Sequence, residues 1–267
     1  MPPDPRAFLF DLDGTVYIGD HAVPGAAEVL AQLRRAGRAY RFVTNTTSRS
    51  RAMLADRLRG FGIDAAAGDI QTPMVAAAAA LRERGCRVVA PFSPVASLSD
   101  LGELTLRGGV SAQAATSAPD AILMGDLGER WSYGLMQEAF EYLMAGAAFI
   151  ALSRDRYFRR GTGLALDAGA FVAGLEYATG QEAVVVGKPS RAFFHAAAAS
   201  LGVPSASITV VGDDLWSDIR GAQEAGLAGW LVRTGKFRAD ALEASGIHPD
   251  RILDSIADVT PVVRDPA

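Results

Sequence analysis

The chain has 267 residues, 49% of them hydrophobic, and a formal net charge of −4, so it can form one large or two modest domains and carries no general basic charge for nucleic acid. Cys86 is the single cysteine, which excludes an intrachain disulfide and fits a reducing compartment. No apolar run approaches the roughly 20 residues that span a bilayer, so we expect a soluble, cytoplasmic protein with no membrane partner.

The first predicted element is an apolar run at residues 8–10 that leads into Asp11 and Asp13, followed by a turn at Gly14. An uninterrupted apolar run predicts a parallel strand that is buried on both faces. Ligands of open α/β sheets lie beyond the carboxyl ends of the strands, where both acids would stand. Two carboxylates this close repel each other unless a cation or a proton intervenes. The stretch therefore indicates a bound metal, acid–base chemistry or both; a surface turn is the alternative.

A helix and a second strand, residues 39–43, complete a β-α-β unit. This strand ends in Thr44 and Asn45, and a hydroxyl-rich loop that opens a helix there can bind an anion through backbone N–H groups and the helix dipole. Simple N-capping by Ser48 or Thr47 is the alternative interpretation. Because neighbouring strand ends converge on one crevice, the vicinity of Asp11 favours anion binding.

The middle of the chain alternates apolar runs with amphipathic stretches, which predicts a second α/β domain inserted into the first. We expect the inserted domain at residues 73–181 and the core at residues 1–72 and 182–267. A run of arginines and aromatic residues at residues 153–160 contains Arg156, Tyr157 and Arg159, which could bind an anion or stack on a ring. A solvated loop whose arginines pair with local acids is an equal alternative.

The last third of the chain adds a lysine and further acids at predicted strand ends. Lys188 follows one short strand, and Asp213 and Asp214 follow the apolar strand at residues 208–211. Asp218 can return to the same crevice from the first turn of the next helix. A phosphate dianion could not approach so many carboxylates unaided, whereas Mg²⁺ prefers oxygen ligands and can bridge carboxylate and phosphate.

In chain order the motifs are Asp-x-Asp, Thr-Asn, Lys-Pro and Gly-Asp-Asp-x-x-x-Asp, each at a predicted strand end. Together they resemble the four motifs of the haloacid dehalogenase (HAD) superfamily of phosphohydrolases, and the insertion resembles its subfamily IIA, or NagD-like, cap. Stretches such as residues 43–47, 186–190 and 232–236 are similar to the subgroup that contains phospholysine phosphohistidine inorganic pyrophosphate phosphatase and HAD domain-containing protein 2. That subgroup carries Ser where this chain has Asp13.

The resemblance implies an α/β fold: a doubly wound, Rossmann-like parallel sheet core with an inserted α/β cap domain. It implies that Asp11 is the nucleophile and forms an aspartyl-phosphate, and that Asp13 is the general acid and base. It also implies that Lys188 contacts both the phosphate and Asp11, while Thr44 and Asn45 hold phosphate oxygens. Substrate selectivity would come from the cap, where the candidates are Arg156, Tyr157 and Arg159.

The metal site implied by the resemblance takes Mg²⁺ and comprises Asp11, Asp13, Asp213 and Asp218. Asp13 would contribute its backbone carbonyl, and either Asp214 or Asp218 would support the ligands from behind.

The predicted function is hydrolysis of a small phosphorylated metabolite. Phosphoglycolate, a sugar phosphate, a nucleotide, pyrophosphate and a phospho-amino acid are all open as substrates. A phosphotransferase or mutase on the same core is an alternative, as is a non-catalytic phospho-receiver switch, which also combines acids, a Thr and a Lys on a doubly wound sheet. Related capped enzymes often dimerise through the cap, which leaves a homodimer open.

Overall fold

The structure is a computed structural model that describes residues 5–114, 117–160 and 163–262. The chain forms two compact units, which are described separately: the first comprises Met1–Thr44, Ala52–Gln71 and Lys188–Ala267, and the second Asn45–Arg51 and Thr72–Gly187. The second unit extends past residue 181 to Gly187 because strand Val184–Val185 pairs with strand Ala148–Ala151 of that unit.

A parallel sheet of six strands forms the centre of the first unit. Strand Ala7–Asp11 lies inside it and is buried throughout, because Phe8 and Phe10 join one apolar cluster while Leu9 points to the opposite face. This confirms the doubly buried strand that the apolar run predicts. The strands in sheet order are Arg251–Leu253, Ala228–Val232, Ile208–Gly212, Ala7–Asp11, Ala39–Val43 and Ile70–Gln71.

Helices flank this sheet in the α/β manner, and the longer ones bury an apolar stripe; Ala26–Arg35, for example, buries Val29, Leu30 and Leu33. A short hairpin, Tyr17–Ile18 with His21–Ala22, follows the first strand. No helix within the described ranges combines the length and hydrophobicity that a membrane crossing requires. The helices and single turns are Ala26–Arg35, Arg51–Gly60, Ala67–Asp69, Arg191–Ala199, Ser205–Ser207, Leu215–Arg220, Gly221–Glu224, Ala239–Ser245 and Ile256–Val262.

The second unit has its own parallel sheet, of five strands, with apolar clusters that involve both faces. Its strands in sheet order are Val184–Val185, Ala148–Ala151, Ala121–Met124, Val88–Phe92 and Thr105–Leu106. Its helices and turns are Pro73–Glu83, Val95–Leu101, Gly128–Arg130, Tyr133–Met144 and Ala168–Thr179.

The arginine-rich run at residues 153–160 is irregular over its first four residues and forms a strand over its last four. Strand Tyr157–Arg160 pairs antiparallel with strand Gly163–Leu166. Arg154, just before the hairpin, forms a 2.6 Å ion pair with Glu176, so one of the arginines does pair with a nearby acid.

Candidate active site

Three acids of the first unit meet at the carboxyl ends of paired strands. Asp11 ends strand Ala7–Asp11, and Asp213 directly follows the neighbouring strand Ile208–Gly212. Asp218 lies in helix Leu215–Arg220, which starts just beyond this strand end. One carboxylate oxygen from each of the three acids lies within 4.8 Å of the other two, and all three side chains are buried. The predicted convergence of distant acids is therefore present.

Lys188 provides a buried positive charge for this acidic cluster. Its Nζ donates to Asp11 Oδ1 and to Asp218 Oδ1, each at 2.6 Å, and its side chain is only 3% exposed. Burial alone would lower the pKa of Lys188, but the two carboxylates outweigh this and raise it. Lys188 is therefore an ammonium, and it compensates part of the charge of three carboxylates.

The cluster as a whole fits a hard divalent cation. Burial raises the pKa of Asp11, Asp213 and Asp218, in the last case to about 7, because the ionised acids lack water and repel one another. Asp11 Oδ2 is buried and has no hydrogen-bond partner among the described residues. Excess negative charge and an all-oxygen donor set match the ligand preference of Mg²⁺. Asp11, Asp213 and Asp218 are the side chains that could hold such an ion.

Asp214 is not part of the acidic cluster that contains its neighbour Asp213. Its Oδ1 accepts the backbone N–H groups of Trp216 and Ser217 at 3.0 Å each, so it caps helix Leu215–Arg220. Although burial opposes ionisation, Lys236 at 3.1 Å and the capped N–H groups hold the pKa of Asp214 below its usual range. Of the two acids considered for support of the site, Asp218 lies in the cluster and Asp214 caps the helix.

Two glycines are needed because the acids pack directly against the backbone. Gly14 has φ +100°, and a Cβ there would overlap the carboxylate of Asp213. A Cβ at Gly212 would overlap the carboxylate of Asp218 in the same way. The sequence predicts a turn at Gly14, but the close approach of an acid from a distant segment is visible only in the structure.

Asp13 and Thr44 complete the predicted residues of the first unit. The Asp13 side chain is exposed and is not one of the three clustered carboxylates. Burial is the main cause that raises the pKa of Asp11, and Lys188 and Lys236 oppose it. The nearby negative charge of Asp13 adds a smaller upward effect. Thr44 is buried at the end of strand Ala39–Val43, and its backbone N–H donates to Gln71 at 3.2 Å.

The remaining predicted residues belong to the second unit. Asn45 Nδ2 donates to Asp155 Oδ2 at 3.3 Å, so the side chain of Asn45 is engaged within that unit. Arg156 and Tyr157 are exposed, and the side chain of Arg159 lies outside the described part of the chain. Their role in substrate binding stays a prediction.

Sequence reasoning gave no site role to the Thr-Gly-Lys stretch that follows strand Ala228–Val232. The backbone N–H of Lys236 donates to Asp213 Oδ2 at 2.6 Å, and Thr234 Oγ1 donates to the carbonyl of Gly14 at 2.5 Å. A usable signal was present, since a glycine flanked by hydrogen-bonding residues stands just beyond the carboxyl end of a strand next to the Asp213 strand.

Comparison with known families adds independent information. The chain matches a family model described as haloacid dehalogenase-like hydrolase over residues 8–98 and a HAD-hydrolase-like model over residues 185–259. The first match contains Asp11 and the second contains Lys188, Asp213 and Asp218.

Individual relatives match over most of their length. The human haloacid dehalogenase-like hydrolase domain-containing protein 2 is 41% identical over 234 residues, which cover 88% of this chain and 86% of that protein. Phospholysine phosphohistidine inorganic pyrophosphate phosphatase of Bos taurus is 36% identical over 262 residues, with 95% and 92% covered. The crystal structure of a glycerol phosphate phosphatase from Mycobacterium tuberculosis in complex with magnesium is 31% identical, with a TM-score of 0.82 and 96% and 76% covered.

Proposed function

This chain belongs to the haloacid dehalogenase-like hydrolases, and we propose that it is a Mg²⁺-dependent phosphatase that hydrolyses a small phosphorylated metabolite through an aspartyl-phosphate on Asp11. Its class as a phosphatase follows from relatives that are phosphatases by name. One observation carries the finer proposal. Lys188 holds Asp11 Oδ1 at 2.6 Å, whereas Oδ2 is buried and no described residue donates to it. Asp11 is thus oriented through Oδ1, and Oδ2 can attack without giving up a hydrogen bond to any described residue.

In the first step Asp11 Oδ2 attacks the phosphorus, and the bond between phosphorus and the leaving-group oxygen breaks. Asp13 gives its proton to that oxygen as the alcohol leaves. Thr44, Asn45 and Lys188 would bind the phosphoryl oxygens, with Asn45 using its backbone because its side chain contacts Asp155. The exposure of Asp13 supports this role, because a carboxyl open to solvent can exchange its proton with the leaving group and then with water.

In the second step a water molecule attacks the phosphorus of the aspartyl-phosphate, and Asp13 accepts the proton of that water. The bond between phosphorus and Asp11 breaks, which releases inorganic phosphate and restores the carboxylate. Mg²⁺, when bound, neutralises charge on the acids and the phosphate. Asp11, Asp213, Asp218 and the Asp13 backbone carbonyl would hold it, and the magnesium complex of the glycerol phosphate phosphatase supports this choice of ion.

Selection of the leaving group would fall to the inserted domain, and Arg156, Tyr157 and Arg159 are our candidates for it. Positively charged and aromatic side chains suit an anionic or ring-bearing substrate.

The proposed nucleophile is tested by Asp11→Asn. An amide is a poor nucleophile, so phosphate release from p-nitrophenyl phosphate should fall by more than about 10³-fold while the fold is retained. Asp20→Asn, the same change at an exposed acid, should keep wild-type turnover. Turnover by Asp11→Asn at the level of this control would refute the assignment.

The covalent intermediate has its own test. Acid quenching during turnover of a ³²P-labelled phosphate ester should leave a hydroxylamine-sensitive label on the Asp11 peptide. Product analysis with an added sugar acceptor separates the alternatives, because a hydrolase transfers the phosphoryl group to water whereas a transferase yields a new phosphate ester.

A further inference from the structure

The segment at residues 234–236, which we call the clamp segment, contacts two separate parts of the acidic cluster. It follows strand Ala228–Val232, whose neighbour in the sheet is strand Ile208–Gly212. Asp213 directly follows strand Ile208–Gly212. Strand Ala7–Asp11 pairs with the other edge of Ile208–Gly212, and the turn that contains Gly14 comes after it. The clamp segment therefore lies beside both strand ends that supply the acids.

Its first contact fixes Asp213. The backbone N–H of Lys236 donates to Asp213 Oδ2 at 2.6 Å, a short hydrogen bond to a buried carboxylate. Gly235, at φ +59°, lies so close that a Cβ would overlap the same oxygen. The donor and this narrow space together constrain the orientation of the Asp213 carboxylate.

Its second contact reaches the turn after the predicted nucleophile. Thr234 Oγ1 donates to the backbone carbonyl of Gly14 at 2.5 Å. A Cβ at Gly235 would also come within 2.6 Å of the Cα of Gly14. Gly14 in turn packs against Asp213, which leaves no space for a side chain between them. Gly14, Gly235 and the Asp213 carboxylate are therefore packed tightly against one another.

We propose that Thr234 and Gly235 are positioning residues for the cation site, because the clamp segment orients the Asp213 carboxylate and ties it to the Asp11–Gly14 turn. This inference rests on the proposed function, since it concerns the Mg²⁺ that the proposed phosphatase requires. Groups that orient ligands from behind typically contribute about 10–100-fold to metal affinity.

The first test compares two glycines of similar backbone. Gly235→Ala adds a Cβ against Asp213, whereas Gly226→Ala adds one at φ +77° with nothing within 4 Å. Both changes strain a left-handed residue, so both should lower the melting temperature in EDTA. Calorimetric titration of Mg²⁺ into the metal-free proteins should give an affinity at least about 10-fold weaker for Gly235→Ala, and close to wild type for Gly226→Ala.

A second pair of variants makes the result independent of backbone strain. Thr234→Val keeps the shape but removes the donor to Gly14, while Thr234→Ser keeps the hydroxyl. Thr234→Val should bind Mg²⁺ more weakly and need more Mg²⁺ for half-maximal activity, with kcat at saturating Mg²⁺ largely recovered. Thr234→Ser should restore the affinity.

The results of these experiments distinguish failure of the positioning role from failure of the proposed phosphatase function. If the wild-type protein binds no Mg²⁺ and releases no phosphate, the proposed function fails. If the wild type does both, but Gly235→Ala binds Mg²⁺ as tightly as Gly226→Ala and Thr234→Val as tightly as wild type, the positioning role is wrong while the function stands.

Discussion

Lys188 determines the charge balance of the acidic cluster at the scale of single residues. It lies between Asp11 and Asp218 with both contacts at 2.6 Å, and all three side chains are withdrawn from water. A buried charge that loses its partner is far more costly than an exposed one, because the remaining charge has neither solvent nor counterion.

We therefore expect Lys188→Met to lower the free energy of unfolding by about 3–5 kcal/mol in EDTA. Urea denaturation measures this, and the same variant should lose phosphatase activity. Arg233→Met, which removes an exposed ion pair with Asp254, should cost at most about 1 kcal/mol. Equal losses for the two variants would contradict the role given to Lys188.

Protonation of the three acids predicts a pH dependence of metal stabilisation. Burial raises the pKa of Asp11, Asp213 and Asp218 in the folded protein, that of Asp218 to about 7. Above the ordinary carboxyl pKa of about 4 these sites hold more protons when folded than when unfolded, in the case of Asp218 up to about pH 7, so their contribution to the free energy of unfolding falls as pH rises. A bound cation neutralises the ionised acids and so removes the destabilisation that their ionisation causes.

The increase in melting temperature on adding Mg²⁺ should accordingly be larger at pH 8 than at pH 5.5. Differential scanning fluorimetry with EDTA or Mg²⁺ at both values measures it. Asp218→Asn provides the control, since the gain between the two pH values should shrink in that variant. An increase in melting temperature on adding Mg²⁺ that is the same at both pH values would contradict the placement of the cation among these three acids.

At the scale of elements, helix Leu215–Arg220 carries Asp218 into the cluster, and Asp214 caps it. Asp214→Ala should lower the free energy of unfolding by about 1 kcal/mol, because the first N–H groups of the helix lose their capping acceptor. It should also weaken Mg²⁺ binding, because the first turn of the helix that carries Asp218 is then less stable. Asp214→Ser keeps a capping oxygen and should recover most of the stability, as measured by urea denaturation. Identical stability of the Ala and Ser variants would exclude the capping role.

Elements were predictable from the sequence where the side-chain pattern alone determines them. The apolar run ending at Asp11 predicts its buried strand, and the same holds for strand Ile208–Gly212. Hairpin strand Tyr157–Arg160 was missed because its arginines give no alternation of apolar and polar residues, and its pairing with Gly163–Leu166 is a tertiary fact.

The site was predictable to the same extent. Asp11 and Asp213 carry carboxylates at strand ends, and Lys188 and Asp218 follow shortly after strands Val184–Val185 and Ile208–Gly212, so the sequence could bring them together. Lys236 contacts Asp213 through a backbone N–H, and every residue except proline has one. Such a contact leaves no mark on residue type, so the position of the clamp segment beyond a strand end could indicate nearness to the site but not its contact with Asp213.

At the scale of the whole molecule, the acidic cluster combines side chains from segments far apart in sequence. Asp11 and Lys188 are separated by 177 positions, yet their side chains meet at 2.6 Å. Asp11 and Asp213 stand at the carboxyl ends of two paired parallel strands, whereas Lys188 comes from the segment after strand Val184–Val185, which belongs to the sheet of the second unit. The insertion of a whole second unit between Thr72 and Gly187 leaves this arrangement intact.

The most direct test of the account is anomalous diffraction from crystals soaked in Mn²⁺, which has oxygen-ligand preferences like those of Mg²⁺. We predict one strong anomalous peak for an ion bound by Asp11 and Asp213, with Lys188 still against Asp11, and loss of this peak in Asp213→Asn. A folded, active protein with no ion among Asp11, Asp213 and Asp218 would contradict it.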